Sequence, residues 1–358
     1  MAEDNTTKGS SSSPSNSSSY PPPFRQLVVD SAESEQVNSE VDSDSLVPVL
    51  DYNVVNYGDG SDGGGGLGEA CRDWGIFRLV NHGVPPTLLS QLHGLAKQLF
   101  SLPFETKQAI LTSPLSYFWG TPVLSPSGVA LSVIGSQNTN WVEGLNVPLS
   151  QLSQIQAQDH PILNSFRILL EEYGKHLGRL ARSIFENMAK NLNLDTSESG
   201  SKLSEPSGFI RVYRYPPYSE SNEDHPAWGM DVHTDSSVLS ILSQDRVGGL
   251  QVLKNDQWFT VKPISNTLIV NLGDMMQAIS NDEYKSVKHR VKVNQYRERV
   301  SICYFVFPGE GSVIRSSNYK PFTYSDFQKQ VQQDVKALGY KVGLDRFKLL
   351  STAITEAC

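Results

Sequence analysis

His233 and Asp235 stand two positions apart inside an otherwise apolar, β-branched run, WGMDVHTDSSVLSIL (228–242). In an extended strand residues i and i+2 share a face, so imidazole and carboxylate project to the same side. If that side is the interior, both groups leave water and need a strong compensating partner, which a divalent metal supplies. Alone, a His-x-Asp pair is more often a satisfied buried hydrogen-bonded pair, so a third ligand has to tip the balance. The chain has seven histidines. His82 lies in an NHGVP turn and reads as structural, His93 and His176 belong to helical stretches, and His160 and His225 sit beside prolines in loops. His289, in SVKHRVKV, is the other histidine inside a predicted strand of the same region. His233, Asp235 and His289 are then two imidazoles and one carboxylate, the facial triad that suits non-haem Fe(II) and leaves about three positions open on an octahedral ion. Asp274, in NLGDMM, is a rival acidic ligand, but a turn-capping role after Gly273 is the preferred reading.

Ten residues beyond His289 comes RVSICYF, with Arg299 and Ser301 on one strand face. A buried arginine needs an anion, and its guanidinium fork matches a carboxylate bidentately. Ser301 adds a hydroxyl to the same group. The pair points to a dicarboxylate reaching from Arg299 to the metal; a structural salt bridge is the plainer alternative for the arginine.

Such a site needs a β scaffold. From Gly208 to Phe307 the apolar period is two, and short strands follow one another: GFIRVYRY, VLSIL, LQVL, QWFTV, TLIVNL, YKSVKHRVKV and RVSICYFVF. Turn signals at RVGG, KND and SND separate them, which predicts a sandwich or barrel of the jelly-roll type. Upstream, LVPVLDY reads as a short strand, and LGEACRDWGIFRLV as a helix closed by Trp74 and Gly75 before a strand. Leu88, Leu92, Leu95 and Leu99 predict a helix over 87–100. After Pro161 comes the longest helical signal, with Leu169, Tyr173, Leu177, Leu180, Ile184 and Met188 as one stripe. Residues 112–157, rich in Ser, Gly, Pro and Gln, predict a long irregular loop, and 196–207 a polar linker. FTYSDFQKQVQQDVKALG predicts a last helix stopped by Gly339.

The first 45 residues carry too little apolar surface to offset the entropy of ordering them. Net charge is −8 without a basic block, which disfavours a nucleic-acid surface. No apolar run approaches the roughly 18 to 20 residues of a membrane span. Cys71, Cys303 and Cys358 show no metal or redox spacing; the first two read as small buried hydrophobes in a reducing compartment. These features predict a cytoplasmic monomer, with the nucleus as the alternative compartment, that takes a small-molecule substrate and has no nucleic-acid or membrane partner.

The succession HTD…H…RVS, together with LVPVLDY, FRLVNHGVP, FSLPFETK, RVYRYPPY, GGLQVL, TLIVNLGD and SNDEYKSVKHRV, resembles the plant 2-oxoglutarate-dependent Fe(II) dioxygenases over about residues 46 to 347. The resemblance implies an α+β fold with a double-stranded β-helix (jelly-roll) core flanked by helices. It divides the chain into a disordered tail (1–45), an N-terminal region (46–157), a long helix and linker (158–207), the catalytic core (208–310) and a C-terminal helix and tail (311–358). It implies Fe(II), 2-oxoglutarate as cosubstrate, O2, and ascorbate as reductant, with succinate and CO2 as coproducts and hydroxylation as the outcome. By the same resemblance Tyr215 contacts 2-oxoglutarate beside Arg299 and Ser301, and Phe305 lines the substrate side, although Phe305 also reads as plain core. The family usually has Asn where this chain has Tyr213, a departure that removes a polar contact to 2-oxoglutarate or reshapes the pocket. Tyr117, Phe118 and Trp119 either line that pocket or anchor the long loop.

Within the family, SNDEYKSVKHRV, DRVGGLQVL and the C-terminal FTYSDFQKQVQQDVKALGYKVGLDRF look most like gibberellin oxidases, especially the gibberellin 2-oxidase branch. The leading expectation is oxidation of a gibberellin or related diterpenoid acid. Its carboxylate would need a cation, for which Arg214 is a candidate. The alternatives are the same chemistry on a flavonoid, auxin or other specialised metabolite, or a non-catalytic ligand-binding protein of the same fold.

Overall fold

The period-two stretches form two sheets that face each other. The computed structural model describes residues 47–57, 66–120, 122–124, 130–132, 140–155, 160–194, 201–218 and 227–349. The predicted tail, most of the Gly-rich stretch after Asn56, His225 and Cys358 lie outside these residues. In the N-terminal part the strands are β1 (Val49–Asp51), β2 (Ile76–Val80), β3 (Ser116–Trp119), β4 (Pro122–Leu124), β5 (Ala130–Ser132) and β6 (Glu143–Pro148). The core strands are β7 (Ser204–Tyr215), β8 (Trp228–His233), β9 (Leu239–Gln244), β10 (Leu250–Lys254), β11 (Gln257–Thr260), β12 (Leu268–Leu272), β13 (His289–Lys292) and β14 (Arg299–Phe307). A hairpin of β15 (Val313–Ser316) and β16 (Tyr319–Thr323) follows.

The major sheet has the order β1-β2-β12-β9-β14-β7-β6-β3, and the minor sheet β11-β10-β13-β8. Apart from β1 with β2, their neighbours are antiparallel. Alternation along β14 separates two cores. Val300, Ile302, Tyr304 and Val306 pack outward against helices, while Cys303, Phe305 and Phe307 join Tyr213, Tyr215, Leu250, Val252 and Val291 between the sheets. This is the jelly-roll arrangement, a strongly curved sandwich whose inner faces form the interior. The outer core buries one stripe each of helices Pro86–Phe100 and Pro161–Asn191, including Leu92, Leu99, Tyr173, Leu177, Ile184 and Met188. Gly75, at φ 66°, closes the π-turn Ala70–Trp74 where a Cβ would sit 2.1 Å from the Lys285 carbonyl oxygen. No helix among the described residues is long and apolar enough to cross a membrane.

Some expectations change. The stretch 112–157 is not a single irregular loop, because β3 and β6 extend the major sheet from β7. EGLNVP has little strand propensity of its own, and its pairing with the long β7 imposes the extended form. That strand begins at Ser204, inside the predicted polar linker. Conversely, YKSVKHRVKV is regular only over His289–Lys292, since the Ser286 amide is drawn off the ladder by the Gln277 side chain.

His93 on the Pro86–Phe100 helix meets the Ser243 hydroxyl at 2.9 Å on the outer side of β9. Burial lowers its pKa from 6.5 to about 4, against the pull of Asp245. A histidine held neutral in the fold but protonated near 6.5 when unfolded gives stability that is complete above that pH and lost as pH falls toward 4. His93→Gln should therefore flatten the fall in urea midpoint between pH 7 and pH 4.5 relative to wild type.

Candidate active site

His289 pairs directly with His233 across β13 and β8, and with Val252 across β10. Directly opposed residues share a face, and Val252 lies in the interior cluster, so both imidazoles face inward. Their ring centroids are 4.2 Å apart. Asp235 follows two residues after β8 ends and brings its Oδ1 within 3.9 Å of His233 Nε2 and 3.7 Å of His289 Nε2. One donor atom from each residue lies within 4.8 Å of the others, and no other His, Cys, Asp and Glu group among the described residues is so arranged.

Each donor is also oriented. His233 Nδ1 faces the Asp231 carbonyl oxygen at 2.7 Å, and His289 Nδ1 that of Val287 at 3.2 Å. With Nδ1–H donating to these carbonyls, each Nε2 presents its lone pair to the common centre. Asp235 Oδ2 accepts from the Ser240 hydroxyl and the Asn271 amide, both at 2.8 Å, and Oδ1 is left facing the imidazoles. Burial acts to raise the Asp235 pKa, but the imidazoles and these two hydrogen bonds outweigh it and hold the carboxyl below its usual range. Burial, with the neighbouring imidazole, lowers His233. A divalent ion takes an imidazole through a free Nε2 lone pair and an aspartate as carboxylate, and these contacts leave both Nε2 atoms and Oδ1 facing the centre. Among these supporting groups Asn271 was overlooked in the sequence, although an amide in the apolar strand TLIVNL marks it.

On the major sheet, Arg299 pairs with Tyr215, and Ser301 with Tyr213 and Gln244. Arg299 is buried, with its Nη groups on the Ser301 hydroxyl and the Gln244 side-chain oxygen, each at 3.0 Å, and its guanidinium over the Tyr215 ring. No carboxylate of the described residues makes an ion pair with it, and its Nε and the Gln244 amide nitrogen are buried donors without a partner. An interior cation with unsatisfied donors fits an incoming carboxylate and not the structural salt bridge. Tyr215 is fixed against the opposite sheet, where a Cβ on Gly229 would stand 2.2 Å from its ring. Tyr213 meets Phe118 edge-on at 6.2 Å across Gly144. Phe305, opposite Ser240, packs at 5.3 Å on Phe209. Trp119 points away from this wall into a separate cluster with Trp141 and Val293.

Two expectations fail. Asp274 is no rival ligand and caps no turn; it starts helix Asp274–Ile279, and its carboxylate takes Lys341 Nζ at 2.8 Å. Arg214 lies on the outer face of β7, opposite to Tyr213 and Tyr215, where it pairs with Glu143 at 3.0 Å and Glu298 at 2.8 Å. Strand parity turns it away from the interior, and those two carboxylates satisfy its charge. The inward-facing guanidinium of β7 is instead Arg211, opposite Cys303. It lies over the Phe209 and Phe305 rings and donates to Asn146 Oδ1 and the Tyr213 hydroxyl, both at 3.3 Å, with no carboxylate partner among the described residues. His82 keeps its structural role: its Nδ1 accepts from the Val84 amide within the turn.

Behind β7, fully buried Glu143 receives Lys107, Tyr117 and Arg214 at once. Glu143→Gln should leave Lys107 buried without a counter-charge and cost roughly 3 to 5 kcal/mol. A lower urea midpoint for Glu143→Gln, partly restored by adding Lys107→Met, is the expected result.

Comparison with known proteins accounts for this geometry. Residues 207–308 match the 2OG-Fe(II) oxygenase superfamily, and residues 47–164 match the N-terminal region described as non-haem dioxygenase in morphine synthesis. Gibberellin 2-beta-dioxygenase 8 of Arabidopsis thaliana is 35% identical over 286 residues, covering 78% of this chain and 80% of that protein. Gibberellin 2-beta-dioxygenase 6 of Oryza sativa subsp. japonica is 34% identical over 299 residues, covering 79% and 78%. Among solved structures, JOX2 in complex with 2OG, Fe and JA superposes with a TM-score of 0.65 at 29% identity over 80% of this chain and 85% of that one. The rice dioxygenase for auxin oxidation gives 0.66 at 25% identity over 85% and 100%. The chain belongs to the 2-oxoglutarate/Fe(II)-dependent oxygenase superfamily and is a dioxygenase that uses iron, 2-oxoglutarate and O2.

Proposed function

We infer that His233, Asp235 and His289 ligate the iron, that Arg299, Ser301 and Tyr215 hold 2-oxoglutarate, and that the substrate is a carboxylic acid with a rigid apolar body, a gibberellin or related diterpenoid acid. The observation that carries the substrate reading is Arg211, an interior guanidinium on an aromatic wall with only neutral partners. The similarity to gibberellin 2-beta-dioxygenases supports the same class.

Iron with 2-oxoglutarate and O2 supplies the oxidising power, and the chain's own residues decide what it meets. Arg299 neutralises the far carboxylate of 2-oxoglutarate, while Ser301 and the Tyr215 ring set its direction. Ser240 and Asn271 keep Oδ2 of Asp235 occupied, so Oδ1 is the oxygen that would meet the metal. Arg211 receives the substrate carboxylate, and Phe305, Phe209 and Tyr213 pack its apolar body and exclude water. Iron bound by His233, Asp235 and His289 would supply hydroxylation of the C–H bond that this wall turns toward them.

Under anaerobic conditions, Fe(II) and 2-oxoglutarate should give wild type a weak visible charge-transfer band that His289→Ala abolishes and Arg299→Met shifts to much higher 2-oxoglutarate. A band surviving His289→Ala would overturn the ligand set, and none in wild type would overturn the site.

With iron, ascorbate and 2-oxoglutarate, a panel of gibberellins, auxin and flavonoids should show oxygenated products of the gibberellins by mass. Arg211→Met should lower kcat/KM on the acid substrate by roughly 10- to 100-fold, the worth of a charge-assisted hydrogen bond, and leave the band unchanged. Turnover of flavonoids or auxin alone would replace the gibberellin reading.

A further inference from the structure

The turn that carries the iron ligands is held from the far end of the chain. Beyond helix Tyr324–Leu338, Gly339 at φ 83° reverses the backbone, and the segment returns to insert Lys341 beside residues 234–236. Its ammonium donates to the Thr234 carbonyl at 2.6 Å, the Asp274 carboxylate at 2.8 Å and the Ser236 hydroxyl at 3.3 Å. An ammonium has three donors and no acceptor, so this set uses all of them. Thr234 lies between two ligands, and Ser236 follows the second.

Asp274 completes the clasp. Its amide donates to the Asp235 carbonyl at 2.8 Å, and the flanking Gly273 and Met275 amides donate to Val238 and Ser237. The segment bearing Lys341 is anchored independently of it. Phe347 packs at 4.4 Å on Phe322 and 5.7 Å on Phe327, and Arg346 donates to Asp334 at 3.0 Å. Lys341 therefore joins two separately fixed bodies, the C-terminal segment and the ligand turn.

We propose that Lys341 is a positioning residue for the metal centre: by holding the Thr234 carbonyl and Ser236 hydroxyl against Asp274, it sets the backbone that aims His233 and Asp235. The inference rests on the triad being the metal site. A merely structural lysine would only balance the buried charge of Asp274, and the two roles separate when that charge is removed as well. Lys341→Met leaves Asp274 unpaired, whereas Asp274→Asn/Lys341→Met removes both charges.

The test titrates wild type and both variants with Mn(II) as the probe metal, and follows thermal melting and hydrogen exchange of the 234–236 amides in the metal-free protein. Metal affinity should fall by ~10-fold or more in Lys341→Met, as for other groups that orient ligands. The double variant should regain the melting temperature but not the affinity, and the 234–236 amides should exchange faster in both variants. Affinity that recovers together with melting temperature, or wild-type affinity and exchange in Lys341→Met, overturns the proposal. Wild type that binds no Mn(II) would instead overturn the metal site itself, and the positioning role with it.

Discussion

One cross-strand pair, His233 opposite His289, sets the register of the minor sheet and through it the content of the interior. Because the two imidazoles are directly opposed, a slip of one residue in either strand would send one of them to the outer face. Irregularities in register immediately beyond this pair, around Val291, confine the regular ladder to the place where it is needed. The carboxylate then only has to come from the turn that follows β8. That turn is not regular secondary structure, and so it is laced by the 273–275 backbone, by Ser240 and Asn271, and by Lys341.

The major sheet manages charge by the same alternation. Along β7, Arg211, Tyr213 and Tyr215 face inward, while Arg214 faces outward into the Glu143 and Glu298 carboxylates. Arg214's outward charge is matched by two carboxylates, but Arg211 and Arg299 have only neutral partners among the described residues. Interior cations left in this state favour binding of anions, since an anionic ligand restores the hydrogen bonds and charge balance that burial removed. On the function proposed above, Arg299 and Arg211 would each receive one acid, the cosubstrate and the substrate.

The triad was legible because the i, i+2 rule and the count of histidines need nothing beyond the chain itself. Arg299 and Ser301 were legible for the same reason. That rule, applied to RVYRY, excludes Arg214 from the interior and places Arg211 there, so the inward guanidinium of β7 is readable from the sequence. The strand character of EGLNVP was not readable, since it comes from pairing with β7 and not from the residues' own preference. Nor was Lys341, whose partners lie more than sixty residues away and are mostly backbone or hydroxyl groups that leave no pattern.

The arrangement of β7 also bears on how such a protein can diversify. Tyr215 under Arg299, Tyr213 of the aromatic wall and Arg211 occupy successive inward positions of one strand, with a buried charge cluster on its reverse side. Insertion or deletion of a single residue there would exchange the two faces at a stroke, bringing Arg214 inward and expelling Arg211. Point replacement at Arg211 or Tyr213 changes one contact and leaves Arg299, Ser301 and Tyr215 in place. Lineages carrying this strand should therefore vary in the chemistry of a few inward positions while its length stays constant, and acquire new substrates by substitution alone.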